Sequence, residues 1–158
     1  FIPPKKGRKH ILYIIRELID FQPESTGTNI SLALEYMTNA IKKRCTTFLI
    51  SDFVDGSDYK NALSIANRRH DLVAIQVYDR RETQLPDVGL IKLQDSERGC
   101  EQWVDSSSAN VRNRYAAWWN SRQEKMLATL RKSRVDLATI ATNDDFVVAL
   151  MTLFKRRG

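Results

Sequence analysis

Thr46-Thr47-Phe48-Leu49-Ile50-Ser51-Asp52-Phe53 is an apolar, β-branched run that stops at Ser-Asp and gives way to the turn formers Val54-Asp55-Gly56-Ser57-Asp58. A continuous apolar run of this length between two helical patterns predicts a strand over 46–53 buried on both faces of a parallel sheet. Ligands and chemistry in open α/β sheets collect at the carboxyl ends of such strands, so Asp52 is the first candidate functional residue. The alternative is that Asp52 only caps the helix that follows.

On the amino side, Ile11, Leu12, Ile14, Ile15, Leu18 and Ile19 recur at helical spacing and predict an amphipathic helix over 8–20. The stretch 21–29, with Gln22-Pro23-Glu24-Ser25-Thr26-Gly27-Thr28-Asn29, reads as a loop that starts a second helix through Ile30, Leu34, Met37 and Ile41. Its hydroxyls could face a cation or its amides an anion, while capping by Thr28 or Asn29 explains them equally well.

On the carboxyl side, a helix is expected over 57–69 with Ser57 or Asp58 as its cap, followed by a second strand over 71–79 that also ends in an acid. Helix-then-strand units in succession argue for a parallel sheet. Val88–Asp95 and Gln102–Asp105, turning at 96–99, predict a short hairpin. A long helix over 108–134 carries Tyr115, Trp118 and Trp119, an aromatic group at core-like spacing that could also be a partner surface. A third strand over 135–142 and a helix capped by Asn143-Asp144-Asp145 close the chain. The expected fold class is α/β: a partial Rossmann-like, three-layer fold with a mostly parallel sheet, helices on both faces and a β-excursion at 85–105.

The 158 residues fit one domain, and 25 Lys+Arg against 19 Asp+Glu leave a net charge of +6. That balance raises nucleic acid as a partner, but the basic clusters Lys42-Lys43-Arg44, Arg68-Arg69, Arg131-Lys132 with Arg134, and Lys155-Arg156-Arg157 fall at expected helix ends, where cations complement the helix dipole. Two cysteines, Cys45 and Cys100, are too few and too isolated for a disulfide framework or a structural zinc site, with only His10 and His70 to help. Such sparse cysteine usage fits a reducing, cytoplasmic setting, and no apolar run approaches a membrane span, so a soluble protein is expected. The opening Phe1-Ile2-Pro3-Pro4 reads as the start of an excised piece of a longer chain.

No nucleophile elbow and no glycine-rich nucleotide cradle occur. Cys45 stands at a helix-to-strand junction with no partner evident in sequence. What remains is oxygen chemistry: Thr28 and Asn29 at a helix start, Ser51 and Asp52 at one strand end, Asp55 in the next loop and Asp79 at the neighbouring strand end could converge on one edge of the sheet. Such oxygens are ligands for Mg²⁺ or Mn²⁺.

Gly27-Thr28-Asn29-Ile30, Phe48-Leu49-Ile50-Ser51-Asp52-Phe53, His70-Asp71-Leu72-Val73-Ala74 and Asp79-Arg80-Arg81-Glu82 with Leu85-Pro86 and Gly89, in this order, resemble the bacterial domain-of-unknown-function-58 family, itself similar to von Willebrand factor type A domains. The resemblance covers essentially the whole chain and implies that residues 1–158 are the carboxyl-terminal part of such a domain. It also implies a metal-ion-dependent adhesion site with Thr28 as its threonine and Asp52 as its aspartate, binding Mg²⁺ or Mn²⁺. The D-x-S-x-S loop of that site is absent from these residues, and Phe53 stands where many A domains have glycine. The site is therefore expected to be incomplete and to hold little metal here. The resemblance further implies a non-enzymatic protein-interaction module working with a MoxR-type AAA+ ATPase. An apolar strand 46–53 left open at its edge would favour a homo-oligomer. The competing readings are a metal-dependent hydrolase or phosphatase centred on Asp52 and a basic nucleic-acid binder.

Overall fold

The computed structural model describes residues 1–23, 27–94 and 100–157. Helix α1 (Arg8–Asp20) and helix α2 (Ile30–Ala40) precede strand β1 (Thr46–Ser51). Helix α3 (Lys60–Arg69) leads to strand β2 (Asp71–Tyr78). Strands β3 (Leu90–Gln94) and β4 (Glu101–Asp105), helix α4 (Ala109–Lys132), strand β5 (Asp136–Ala141) and helix α5 (Phe146–Arg157) complete the order. The protein is thus α/β, with a parallel sheet in the order β1-β2-β5 and an antiparallel β3–β4 hairpin apart from it. The predicted hairpin turn at 96–99 lies outside the described residues, as does 24–26 of the predicted loop.

The sheet separates two apolar clusters, because alternate residues of a strand point to opposite faces. Leu72 and Ala74 of β2 pack with Ile30 and Leu34 of α2, Ala62, Leu63 and Ala66 of α3, and Met126 and Leu130 of α4. Val73, between them in sequence, packs instead with Ala138 of β5 and with Leu153 and Leu150 of α5. Fully burying a leucine such as Leu63, Leu72 or Leu130 is worth about 1.5–3 kcal/mol.

β1 is not buried on both faces. No residue in it is fully buried, and Ile50 is 64% exposed and Phe48 43%. Leu49 leans on the α2–α3–α4 cluster, whereas Phe48 makes an edge-on ring contact with Phe154 of α5, centroids 6.2 Å apart. An apolar run cannot by itself distinguish a covered face from an open one, and β1 is an edge strand whose second face α5 covers only in part. α1 likewise has its predicted span, yet none of its residues is buried, with Leu18 and Ile19 more than 70% exposed.

Two helix starts also depart from expectation. α3 begins at Lys60, one turn later than predicted, with Tyr59 rather than Ser57 or Asp58 at the cap position; Asp58 Oδ1 accepts from the Lys60 amide instead. α2 ends at Ala40, so Lys42-Lys43-Arg44 lies beyond its last turn, while Arg68-Arg69, Arg131-Lys132 and Lys155-Arg156-Arg157 occupy the final turns of α3, α4 and α5 as predicted. The Tyr-Trp-Trp group divides: Trp119 is buried against Tyr78, and Trp118 is half exposed.

Candidate functional site

β1 ends at Ser51, and the chain turns sharply through Phe53, which holds a left-handed φ of 58°. That conformation costs a non-glycine residue about 1–2 kcal/mol. Burial offsets the cost: Phe53 is 3% exposed and packs against Tyr59, ring centroids 6.3 Å apart. The turn is laced by side chains, since Ser51 Oγ accepts from the Phe53 amide at 3.0 Å and Asp52 Oδ1 accepts from the Val54 amide at 2.9 Å. The Asp52 carboxylate is exposed and leaves Oδ2 outside these bonds.

Asp55 is the residue that joins this loop to the next. Its Oδ2 accepts from the Ile30 amide at 2.7 Å, in the first turn of α2, and its Oδ1 accepts from the Ser57 amide at 2.7 Å. A carboxylate at a helix amino terminus is favoured both by the open amides and by the helix dipole. Burial on its own would raise the Asp55 pKa, but the bonds from Ile30 and Ser57 outweigh it and hold the carboxyl below its ordinary range. Asn29 is the cap of α2, its Oδ1 accepting from the Leu32 amide at 2.8 Å, so Thr28 sits one residue before the cap and is exposed. The Thr28 and Asp52 loops are therefore fastened to each other, through Asp55 and Ile30, at the carboxyl end of β1.

Among the described residues no bond joins Asp79 to them. Its Oδ1 accepts from the Arg81 amide at 2.8 Å and caps a single 3₁₀ turn, Arg80–Glu82. The carboxyl end of β2 carries instead the buried Gln76, beside Ser51 in register, whose Nε2 donates to Gln123 Oε1 of α4 at 3.1 Å.

Among the described residues no group of three or more His, Cys, Asp and Glu side chains is placed to hold a metal ion. The exposed Asp52 carboxylate and the Thr28 hydroxyl do not by themselves make a closed cage; an Mg²⁺ bound by one or two carboxylates keeps several waters.

Two further constellations are not assembled from the sequence. Cys45 does have a partner: its Sγ lies 3.4 Å from Nδ1 of the buried His70 and 3.5 Å from Thr47 Oγ1. Arg122 of α4 packs over the rings of Trp118 and Trp119, 5.5 and 5.6 Å from their centroids, and lines a cavity of about 210 Å³ with Phe53, Asp55 and Tyr59. Aromatic spacing could have pointed to an arginine one turn beyond Trp118. Nothing at the level of pattern pairs Cys45 with a histidine 25 residues away.

Among curated proteins the chain is similar to the uncharacterized protein MAV169 of Mycobacterium avium, at 24% identity over 158 residues that cover 99% of this chain and 93% of the relative. It is similar also to the uncharacterized proteins Rv1480 of Mycobacterium tuberculosis and Mb1516 of Mycobacterium bovis, each at 26% identity over 161 residues. The chain spans about half the length of these two relatives, with 50% of each covered. No solved structure matches it. A family model described as "Protein of unknown function DUF58" matches residues 1–125, which carry both fastened loops, and the chain belongs to that family.

Proposed function

We propose that this chain is a non-enzymatic protein-interaction module of the von Willebrand factor A type, cytoplasmic, that serves as an adaptor in a MoxR-type AAA+ ATPase system. The observation that carries the reading is the fastening of the Thr28 and Asp52 loops at the carboxyl end of β1 by Asp55, which brings oxygen-bearing side chains of two loops to one edge of the sheet. Thr28 and Asp52 are the residues that would hold Mg²⁺ or Mn²⁺ there. When bound, the ion would supply an open coordination position for a carboxylate of the partner. Without a D-x-S-x-S loop in these residues, binding is expected to be weak.

Calorimetric titration of Mg²⁺ and Mn²⁺, with Asp52→Ala and Thr28→Ala alongside, tests the site. Weak binding abolished by both substitutions supports the reading. Tight binding through Asp52 alone would favour a metal-dependent hydrolase or phosphatase. Strongly salt-dependent affinity for an oligonucleotide would favour the nucleic-acid reading.

The open edge of β1, with Phe48 and Ile50 exposed beside it, supports a second element of the proposal: self-association through strand 46–53. A monodisperse monomer in light scattering would rule that element out.

A further inference from the structure

The described structure contains three half-buried arginines, Arg112, Arg122 and Arg157. Arg112 pairs with Asp87, and Arg157 pairs with Asp71 and Asp136. Arg122 has neither an ion pair nor a hydrogen bond to another described residue; its contacts are the faces of Trp118 and Trp119. Stacking on an indole uses the flat face of a guanidinium and leaves its N–H edge available. A partly desolvated cation held in this way has lost rotamer freedom before any ligand arrives, which lowers the cost of forming a charge-assisted bond.

That side chain lines the 210 Å³ cavity together with Lys125, Thr129, Tyr59, Asp55 and Asp58. The two acids of the lining are already engaged by backbone: Asp55 by the amides of Ile30 and Ser57, Asp58 by the amide of Lys60. Lys125, exposed on the next turn of α4, makes no ion pair with a described residue. The lining thus holds two cations that make no ion pair with a described residue and two acids that accept from backbone amides.

We propose that this cavity is a binding subsite for a single oxyanion, a carboxylate or a phosphate, received on the N–H edge of Arg122 with Lys125 as the second charge. The volume suits the end of an acidic side chain or one phosphate group, and Tyr59 lines the wall, while the Thr129 hydroxyl is already donated to the Lys125 carbonyl at 2.9 Å. The subsite adjoins the loop that follows Asp52, because Phe53 and Asp55 belong to its lining, but it needs no metal there.

The test is a titration of the protein with acetate and, separately, with inorganic phosphate at fixed ionic strength, followed by NMR at the Arg122 Nε–H and the Trp118 and Trp119 indole N–H signals. Saturable shifts at all three are expected with at least one anion. Saturation by acetate alone would identify an acidic protein side chain as the source, and saturation by phosphate alone a phosphorylated group. Arg122→Gln should weaken the indole response about tenfold or more, the value of a charge-assisted bond. Lys125→Gln, at an exposed position that carries no packing, should weaken it by a smaller factor. A linear, non-saturating response of wild-type Arg122 Nε–H to both anions overturns the proposal, as does saturation unchanged in either variant.

Discussion

The two faces of the sheet differ in how they are closed. On one, α2, α3 and α4 meet over Leu63, Leu72 and Leu130, none more than 1% exposed; on the other, α5 covers Val73 and Ala138 through Leu153 but leaves Phe48, Ile50, Met151 and Phe154 each at least 43% exposed. The same apolar residue types serve both faces. What separates them is the number of elements that arrive to cover the strands. The closed face holds the larger buried cluster, and the open one leaves Phe48 and Ile50 of β1 exposed.

The largest expected effect follows directly. Leu63→Ala should cost about 2–5 kcal/mol in urea denaturation, while Phe154→Ala on the open face should cost well under half as much. Equal losses would break the contrast. Next is Asn67, which closes the base of the covered face: its Nδ2 donates to the carbonyls of Ser133 and Arg134, and its Oδ1 accepts from the Leu72 amide. Asn67→Ala leaves those groups without their partner and should cost about 1–3 kcal/mol by the same measurement.

Asp55 gives a smaller effect with a definite pH signature. Its carboxyl is held below the ordinary value of about 3.9 in the folded protein. The stability it adds is therefore complete above that value and is lost as pH falls through the folded one. Asp55→Asn should lower stability at neutral pH by about 1 kcal/mol, as loss of a helix cap does. It should also remove part of the fall below about pH 4 that wild type shows in acid titrations of stability. An acid limb identical in both proteins would show that the bond to Ile30 contributes nothing. The smallest change is a gain. Arg134, at the end of α4, holds a left-handed φ of 54°, and Arg134→Gly should raise stability by about 1 kcal/mol at most, the extra unfolded-state freedom of glycine taking back part of the relief. A loss on substitution would mean that the arginine side chain matters more than the backbone it strains.

Much of this architecture is legible in residue order. The periodicity of Ile11, Ile15 and Leu18 marks α1 to the residue, and the β-rich run over 71–79 marks β2 to within one residue of its end. Local pattern fails where the deciding contact is distant. Phe48 and Ile50 read as buried because an apolar run carries no information about which element will cover it. The later start of α3 follows from Phe53 and Tyr59 packing into the core, which uses residues 53–59 for a turn instead of a helix. Of the candidate site, Asp52, Thr28 and Asp55 are visible as oxygen-bearing loop residues. The bond from Ile30 to Asp55 is not, because it joins residues 25 apart whose proximity exists only once β1 is laid beside the start of α2. Arg122 is one charge among many on α4 until its two indoles and missing acid are seen.

The order of the strands also has a consequence for how the chain assembles. β1 and β2 are joined by α3 alone, whereas the hairpin and the whole of α4 lie between β2 and β5. Closing the first pair therefore confines a much shorter stretch of backbone than closing the second, and that entropy is spent before the pairing returns any contact. The β1-α3-β2 unit is expected to form early, with β5 and α5 docking onto an existing β2. Substitutions at Leu72 should then slow refolding, and substitutions at Leu153 should chiefly speed unfolding; the reverse pattern in stopped-flow kinetics would invert the order. In that sequence of events the open face is the last part of the molecule to be built.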